Sequence, residues 1–135
     1  MDHEWHAIIN PASGGGRTRK LWPILAAQLR EKGFRLHQHE TSGIGDATGI
    51  ARRIVGEGVR NIVVVGGDGT LNEVVNGIVE DDDVASADVV LSLIPCGTGR
   101  DFARSLGIHD PQHAVDLLTT GAVTAVDVGS ISYTR

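Results

Sequence analysis

IVVVGGDGTLNEVVNGI, residues 62–78, decides the fold of this chain. Its first four residues, Ile62–Val65, are β-branched and apolar, which is typical of a strand buried on both faces of a parallel sheet. The strand runs directly into the glycine-rich segment Gly66–Thr70. Beyond it, Leu71, Val74, Val75 and Ile78 recur at helical spacing. The stretch therefore predicts a strand, a tight turn and a helix.

The same succession of strand and glycine-rich turn occurs twice more. Trp5–Ile9 precedes the run Asn10–Gly16, and Val89–Ile94 precedes Pro95–Gly99. Alternating strands and helices favour a three-layer α/β domain over residues 1–135, a mostly parallel sheet with helices on both faces. Hydrophobic spacing and stop residues predict the other elements: a helix over 17–32, a strand over 34–40, a helix from its cap Asp46 to Gly58, helices over 102–106 and 110–121, and a last strand over 123–128.

Composition excludes several classes of protein. The 135 residues are 41% hydrophobic and 21% charged, as in a globular domain. A net charge of −5 argues against nucleic acid as a partner, because nucleic-acid-binding proteins present a basic face. The single cysteine, Cys96, fits a reducing compartment. No apolar run reaches the ~18 residues of a membrane span, and the start of the chain is acidic, so we expect a cytoplasmic protein.

The glycine-rich turns point to a phosphate ligand. Glycine makes up 18 of the 135 residues, about twice its usual share. In open α/β sheets, ligands bind outside the carboxyl ends of the strands, where all three turns are predicted to lie. Each turn also opens a helix, whose free N–H groups attract an anion. Any one turn alone is more simply a chain reversal, but the three together favour a backbone shaped for phosphate.

Asp68 lies in the middle of the central turn. A bare carboxylate repels phosphate, so it fits there if Mg²⁺ bridges the two, or if it accepts a proton or hydrogen bond during phosphoryl transfer. The alternative is a turn aspartate bonded to its own backbone. The turn lacks the Gly-Lys-Ser/Thr of a Walker loop, and Gly14-Gly15-Gly16 lacks the dinucleotide-binding spacing.

Other polar residues have weaker signals. The spacing of His37 with His39, and of His109 with His113, supplies no complete metal-ligand set, and we expect surface or capping histidines and no metal held by them. The basic segment 17–20 either steers an anion or is a solvated helix start. Cys96 is expected to be a small buried residue.

Three ordered motifs carry a resemblance. The segment 62–77 resembles the nucleotide loop of the diacylglycerol kinase catalytic-domain family, which includes sphingosine kinases and bacterial lipid kinases. Its core Gly66–Thr70 is shared with NAD kinases, whereas Leu71–Gly77 resembles the lipid-kinase branch. Asn10-Pro11 with the following Ser/Gly run resembles the family's first loop. Pro95–Arg104 resembles its Pro-x-Gly-Thr-x-Asn-Asp-Phe-Ala-Arg box, with Arg100 in place of the usual asparagine.

The resemblance implies an ATP site between the loops after the first and third strands. Asn10 and Ser13 would line it, and Thr41 would contact the nucleotide, on the resemblance alone. Asp68 would also be the catalytic residue, and Thr98 would close the site. The residues implied to hold the phosphates and complete the loop are Gly66, Gly67, Asp68, Gly69, Thr70, Leu71 and Asn72.

The implied reaction is transfer of the γ-phosphoryl group of Mg-ATP to a lipid hydroxyl such as that of diacylglycerol. The family carries its lipid cleft in a second, β-rich domain, so we expect residues 1–135 to be the ATP-binding domain alone. Such a domain binds ATP, does not phosphorylate lipid, and can self-associate as a homodimer through its uncovered docking face. Peripheral membrane contact is expected only of the full-length enzyme. Two alternatives stay open: an NAD-kinase-like enzyme, and a non-catalytic nucleotide-binding or receiver-like module.

Overall fold

The computed structural model describes residues 4–79, 89–96, 107–120 and 126–127. Five strands and four α-helices lie in these ranges, with a 3-10 turn at Ser13–Gly16 before the first helix. In chain order the elements are β1 Glu4–Ile9, α1 Arg17–Glu31, β2 Arg35–Glu40, α2 Asp46–Gly56, β3 Asn61–Gly66, α3 Asp68–Val79, β4 Val90–Pro95, α4 Pro111–Thr120 and β5 Val126–Asp127.

The sheet has the strand order β2-β1-β3-β4-β5. The first four strands are parallel, and β5 joins the edge antiparallel to β4. The α/β prediction is confirmed, including the adjacent central strands, since Val65 on β3 pairs with Ile94 on β4. The four residues Ile62–Val65 are each 1% exposed or less, as their unbroken apolar run predicts.

Helices cover both faces of the sheet. From β1 the chain adds β2 on one side of that strand. It then crosses back to place β3, and after it β4, on the other side of β1. Right-handed crossovers then place α1 on one face and α2 and α3 on the other. Contacts agree, because α4 packs against α1 and β4, and α2 packs against α3 and β1. None of the helices within the described ranges is long and apolar enough to cross a membrane.

Two helix starts differ from the predictions: Asp68–Thr70, predicted as part of the turn, form the first residues of α3, and α2 differs at its cap. Asp110 caps α4 by accepting the His113 N–H at 2.8 Å, and Pro111 takes the first helical position. The predicted cap at Asp46 is wrong: Gly45, at φ +90°, precedes the helix, and Asp46 is its first residue. The Asp46 carboxylate instead accepts the Ser42 hydroxyl and N–H, at 2.6 and 2.7 Å. These two hydrogen bonds lower the pKa of Asp46. The predicted helix over 102–106 lies outside the described residues.

Helices α2 and α3 approach closely at Gly77. A Cβ there would lie 2.3 Å from the Thr48 carbonyl oxygen and 2.9 Å from the Ala51 Cβ, so only glycine permits this spacing. Nearby, the Thr48 hydroxyl donates to the Glu73 carbonyl oxygen at 2.8 Å. The two contacts hold α2 and α3 as one layer over the sheet.

Three histidines cluster on β1 and β2. The His6 ring stacks on that of His37, with centroids 4.4 Å apart, and His6 Nδ1 lies 2.9 Å from His39 Nε2. His37 Nε2 lies 2.8 Å from the Glu4 carboxylate, with His37 48% exposed. Burial lowers the pKa of His6 and of His39, and neighbouring positive charges lower each further. Within the described part of the chain, no group of three or more His, Cys, Asp or Glu side chains is placed to hold a metal ion.

The histidine cluster predicts loss of stability in mild acid. An unfolded histidine has a pKa of about 6.5, above the pKa of His6 and His39 in the folded chain. Below about pH 6.5, the unfolded chain therefore binds more protons than the folded chain. The free energy of unfolding consequently decreases as the pH is lowered. We expect the melting temperature to drop between about pH 7.5 and 5.5. His39→Gln should flatten that decline, and an unchanged slope in the variant would contradict the assignment.

Candidate functional site

The loop after β1 has three consecutive glycines in left-handed conformations. Gly14, Gly15 and Gly16 have φ of +64°, +67° and +96°, a region that side chains with a Cβ rarely enter. A Cβ on Gly14 would lie 2.4 Å from the Cys96 carbonyl oxygen, whereas one on Gly15 would meet no atom within 4 Å among the residues that the structure describes. The loop thus packs against the end of β4 through Gly14. Cys96 is buried there, as the sequence predicts.

Side chains tie this loop to the start of α3. Asn10 donates through Nδ2 to the Thr70 hydroxyl at 3.2 Å, and its Oδ1 accepts the Ala12 N–H at 3.1 Å. The Asn10 N–H donates to the Val65 carbonyl at 3.0 Å. A Cβ on Gly66 would lie 2.9 Å from the Thr70 hydroxyl oxygen and 3.1 Å from that of Ser13. The structure therefore brings together Asn10, Ser13, Gly66 and Thr70 at the carboxyl edge of the sheet.

A cleft of about 300 Å³ opens beside these residues. Thr41, which the resemblance alone implied, lies in its wall, and the Thr41 N–H donates to the Ile9 carbonyl at 2.8 Å. The Gly45 N–H donates to the Glu73 carboxylate at 3.1 Å, which fastens the segment 41–45 to α3. The lining residues are Asn10, Pro11, Ala12, Arg19, Thr41, Ser42, Gly43, Ile44, Ala47, Thr70 and Glu73.

Asp68 is the first residue of α3, where the helix dipole favours a negative charge. Its Oδ1 atom is buried and has no hydrogen-bond partner among the described residues. A buried acceptor without a partner costs about 1–3 kcal/mol. Through this oxygen, Asp68 does not make the backbone hydrogen bond of an ordinary turn aspartate with any described residue.

The remaining predicted site residues are placed less directly. The Leu71 side chain is 4% exposed and belongs to the hydrophobic core, so it can serve a ligand only through its backbone. Asn72 is exposed on α3 and does not line the cleft. A Cβ on Gly69, the second residue of α3, would meet no atom of the described residues within 4 Å. Gly67 separates β3 from α3, and Thr98 lies outside the described residues.

Two charged residues of the cleft were not among the predicted site residues. The sequence allows two roles for Arg19: it either steers an anion or belongs to a solvated helix start. The structure places it in the cleft wall, with Nη1 3.9 Å from where a Gly16 Cβ would be. In the sequence, Glu73 is simply a polar position of a predicted helix. The Gly45 N–H that its carboxylate accepts belongs to a residue 28 positions away, so no local pattern links the two. Its role in the wall is set by tertiary contact alone.

Residues 4–131 match the family model of the diacylglycerol kinase catalytic domain. This chain belongs to that family. A diacylglycerol kinase of Staphylococcus saprophyticus is 37% identical over 126 residues, covering 93% of this chain and 40% of the relative. One from Staphylococcus aureus (strain bovine RF122) is 39% identical, covering 93% and 39%.

The structure is similar to the crystal structure of a diacylglycerol kinase from Bacillus anthracis strain Sterne. The TM-score is 0.74 at 31% sequence identity, and the match covers 88% of this chain and 42% of that one. The family resemblance drawn from the three motifs is confirmed. The chain therefore spans about 40% of the length of the diacylglycerol kinase of S. saprophyticus.

Proposed function

We propose that this chain binds Mg-ATP and is the nucleotide-binding part of a lipid kinase, which transfers the γ-phosphoryl group to the hydroxyl of a lipid such as diacylglycerol. One observation carries the nucleotide site. Gly15 and Gly69 each turn the space of a missing Cβ toward no atom of the described residues within 4 Å, at the edge of the sheet where α1 and α3 begin. A backbone bare of side chains at helix amino termini suits phosphate oxygens.

The chain's own groups would divide the work of binding. Backbone N–H groups at the start of α3 would donate to the phosphates, which approach closely because Gly69 has no side chain. Asn10 holds the Thr70 hydroxyl in place through their hydrogen bond. Arg19 would add the only positive charge among the described lining residues, and a charge-assisted hydrogen bond to phosphate is about twice as strong as a neutral one.

The residues present fit Mg²⁺. The buried Oδ1 of Asp68 is an acceptor without a partner among the described residues, and magnesium prefers oxygen ligands, usually one or two carboxylates together with substrate phosphates. Asp68 would hold the ion through this oxygen, and the carboxylate would then lie beside phosphate without repulsion. When bound, Mg²⁺ neutralises charge that develops on the transferred group.

The family membership favours a lipid hydroxyl as the acceptor over a dinucleotide or a non-catalytic module. In-line positioning of the acceptor supplies much of the catalysis in phosphoryl transfer. The described residues would supply the phosphate site, and the relatives are more than twice as long as the part they share with this chain. We therefore place the acceptor site in a second domain, with a cytoplasmic enzyme that contacts the membrane peripherally to reach its lipid.

The nucleotide site predicts a difference between two glycine variants. Gly69→Ala adds a methyl group at the proposed phosphate site, and Gly49→Ala adds one on α2 outside the cleft; neither Cβ meets an atom of the described residues within 4 Å. Both variants should keep the wild-type circular-dichroism spectrum. In titration calorimetry with Mg-ATP, Gly69→Ala should bind about ten-fold or more weakly, a change of ~1.4 kcal/mol, and Gly49→Ala like wild type. Equal affinities in all three proteins would reject the turn as the phosphate site.

The role of Asp68 predicts opposite effects with and without metal. Asp68→Asn removes the carboxylate charge, so ATP without Mg²⁺ should bind more tightly than to wild type, because repulsion is relieved. The affinity that wild type gains when Mg²⁺ is added should be largely lost. Dissociation constants of ATP in EDTA and in Mg²⁺ measure both effects. If the gain from Mg²⁺ is the same in the variant, Asp68 does not hold the metal.

Placement of the acceptor site predicts the behaviour of residues 1–135 by themselves. We expect no phosphorylation of diacylglycerol in mixed micelles above the background without protein, because the chain would lack the group that orients the lipid. Radiolabelled ATP and extraction of the lipid product measure this. Lipid turnover that Asp68→Ala abolishes would instead place the acceptor site within this chain.

A further inference from the structure

The histidine cluster on β1 and β2 lies immediately before one wall of the cleft along the chain. Strand β2 ends at Glu40, and the residues 41–44 that follow it line the cleft. Among the described residues, β1 is the only strand that pairs with β2. In this pairing Ile9 lies opposite Glu40, and the Thr41 N–H donates to the Ile9 carbonyl oxygen at 2.8 Å. The position of the wall segment 41–44 therefore depends on how closely β2 follows β1.

The contact between His6 and His39 has room for a single hydrogen. Nδ1 of His6 on β1 lies 2.9 Å from Nε2 of His39 on β2. In such a contact one ring nitrogen donates and the other accepts, so the accepting ring must be neutral. When both rings are protonated, two N–H groups face each other, and the hydrogen bond becomes a repulsion. His37 brings a third imidazole to the cluster, stacked on His6 with ring centroids 4.4 Å apart.

Charged groups from β1, β2 and the end of α2 surround the three histidines. These groups are Glu4, Arg35, Arg53, Glu57 and Arg60. Burial is the largest cause that lowers the pKa of His6 and of His39, and the opposing effect of the carboxylates does not cancel it. The packed strands therefore favour neutral imidazoles. Below about pH 6.5, the usual pKa of histidine, protonation works against the close pairing of β2 with β1.

We propose that the histidine cluster is a pH switch for the cleft, which holds the wall segment 41–44 in its binding position when the imidazoles are neutral and loosens it when they are protonated. The inference rests on the proposed nucleotide site. Repulsion between the rings pushes β2 away from β1, because no strand lies beyond β2 in the described sheet. The far end of the wall stays fastened through the Gly45 N–H, so the movement is local. Coupling is reciprocal, and a bound nucleotide therefore expels protons from the cluster.

His39→Gln removes titration from the contact between the two strands, because a glutamine amide stays neutral in mild acid. His109→Gln is the matched control: it makes the same substitution at an exposed histidine that stacks on His113, outside the cluster and the cleft. If His39→Gln does not fold, His37→Gln replaces it, because this change removes the ring stacked on His6 at a half-exposed position. Circular dichroism at each pH, below the melting temperature, checks that every protein stays folded.

The test is displacement of a fluorescent ATP analogue by Mg-ATP at about pH 7.5 and about pH 6.0, on either side of the usual histidine pKa. Wild type and His109→Gln should bind Mg-ATP about five-fold more weakly at the lower pH, which is the lower end of typical coupling between sites. The affinity of His39→Gln should change by less than about two-fold. Calorimetry in buffers of different ionisation enthalpy should also show that wild type releases protons on binding, and that His39→Gln releases fewer.

Two results would overturn the switch and leave the nucleotide site standing. One is equal affinity of wild type for Mg-ATP at both pH values. The other is a folded His39→Gln, or the folded His37→Gln in its place, that loses as much affinity in acid as wild type does. If wild type binds no Mg-ATP at the higher pH, the proposed function itself fails.

Discussion

The close contact of three loops at the carboxyl edge of the sheet is the constraint on which the site depends. It requires the absence of side chains at two glycines. A Cβ on Gly66 would press on the hydroxyls of Thr70 and Ser13, and one on Gly14 would press on the Cys96 carbonyl. With those atoms absent, Asn10 reaches Thr70 and joins the first loop to α3. Interiors are packed to near-crystalline density, so a methyl group at Gly14 must displace backbone, whereas one at Gly66 must shift the Thr70 and Ser13 side chains.

The strand order determines where this contact produces a cleft. The chain leaves β1 in one direction to form β2 and leaves β3 in the other to form β4. Neighbouring strands whose connections diverge leave a crevice between them at the carboxyl edge. The cleft lies there, since Asn10 follows β1 and Thr70 begins the helix that follows β3. The topology thus creates the crevice, and the absence of side chains at the glycines lets a ligand approach the backbone at its base.

At Asp68, a feature that lowers the stability of the fold coincides with the proposed metal-binding role. A buried oxygen without a partner among the described residues opposes folding, and the favourable position at the start of α3 offsets only part of that cost. A bound cation would satisfy the oxygen. Local rules of folding are most often broken at functional sites, and this carboxylate lies at the turn that the proposed phosphates would approach.

The sequence alone determined the order of strands and helices, the central position of Ile62–Val65 and the glycine-rich turns, because these follow from local periodicity and backbone preference. It misassigned the cap of α2, since the donors that Asp46 accepts come from Ser42 in the preceding loop. The helical spacing of Leu71 with Val74, Val75 and Ile78 did predict its burial in the core, whereas the motif resemblance alone implied a ligand role for it. Tertiary structure alone brought Arg19 and Glu73 into one cleft. Glu73 meets Gly45 only after α2 packs on α3, and no pattern within either helix encodes a hydrogen bond across 28 residues.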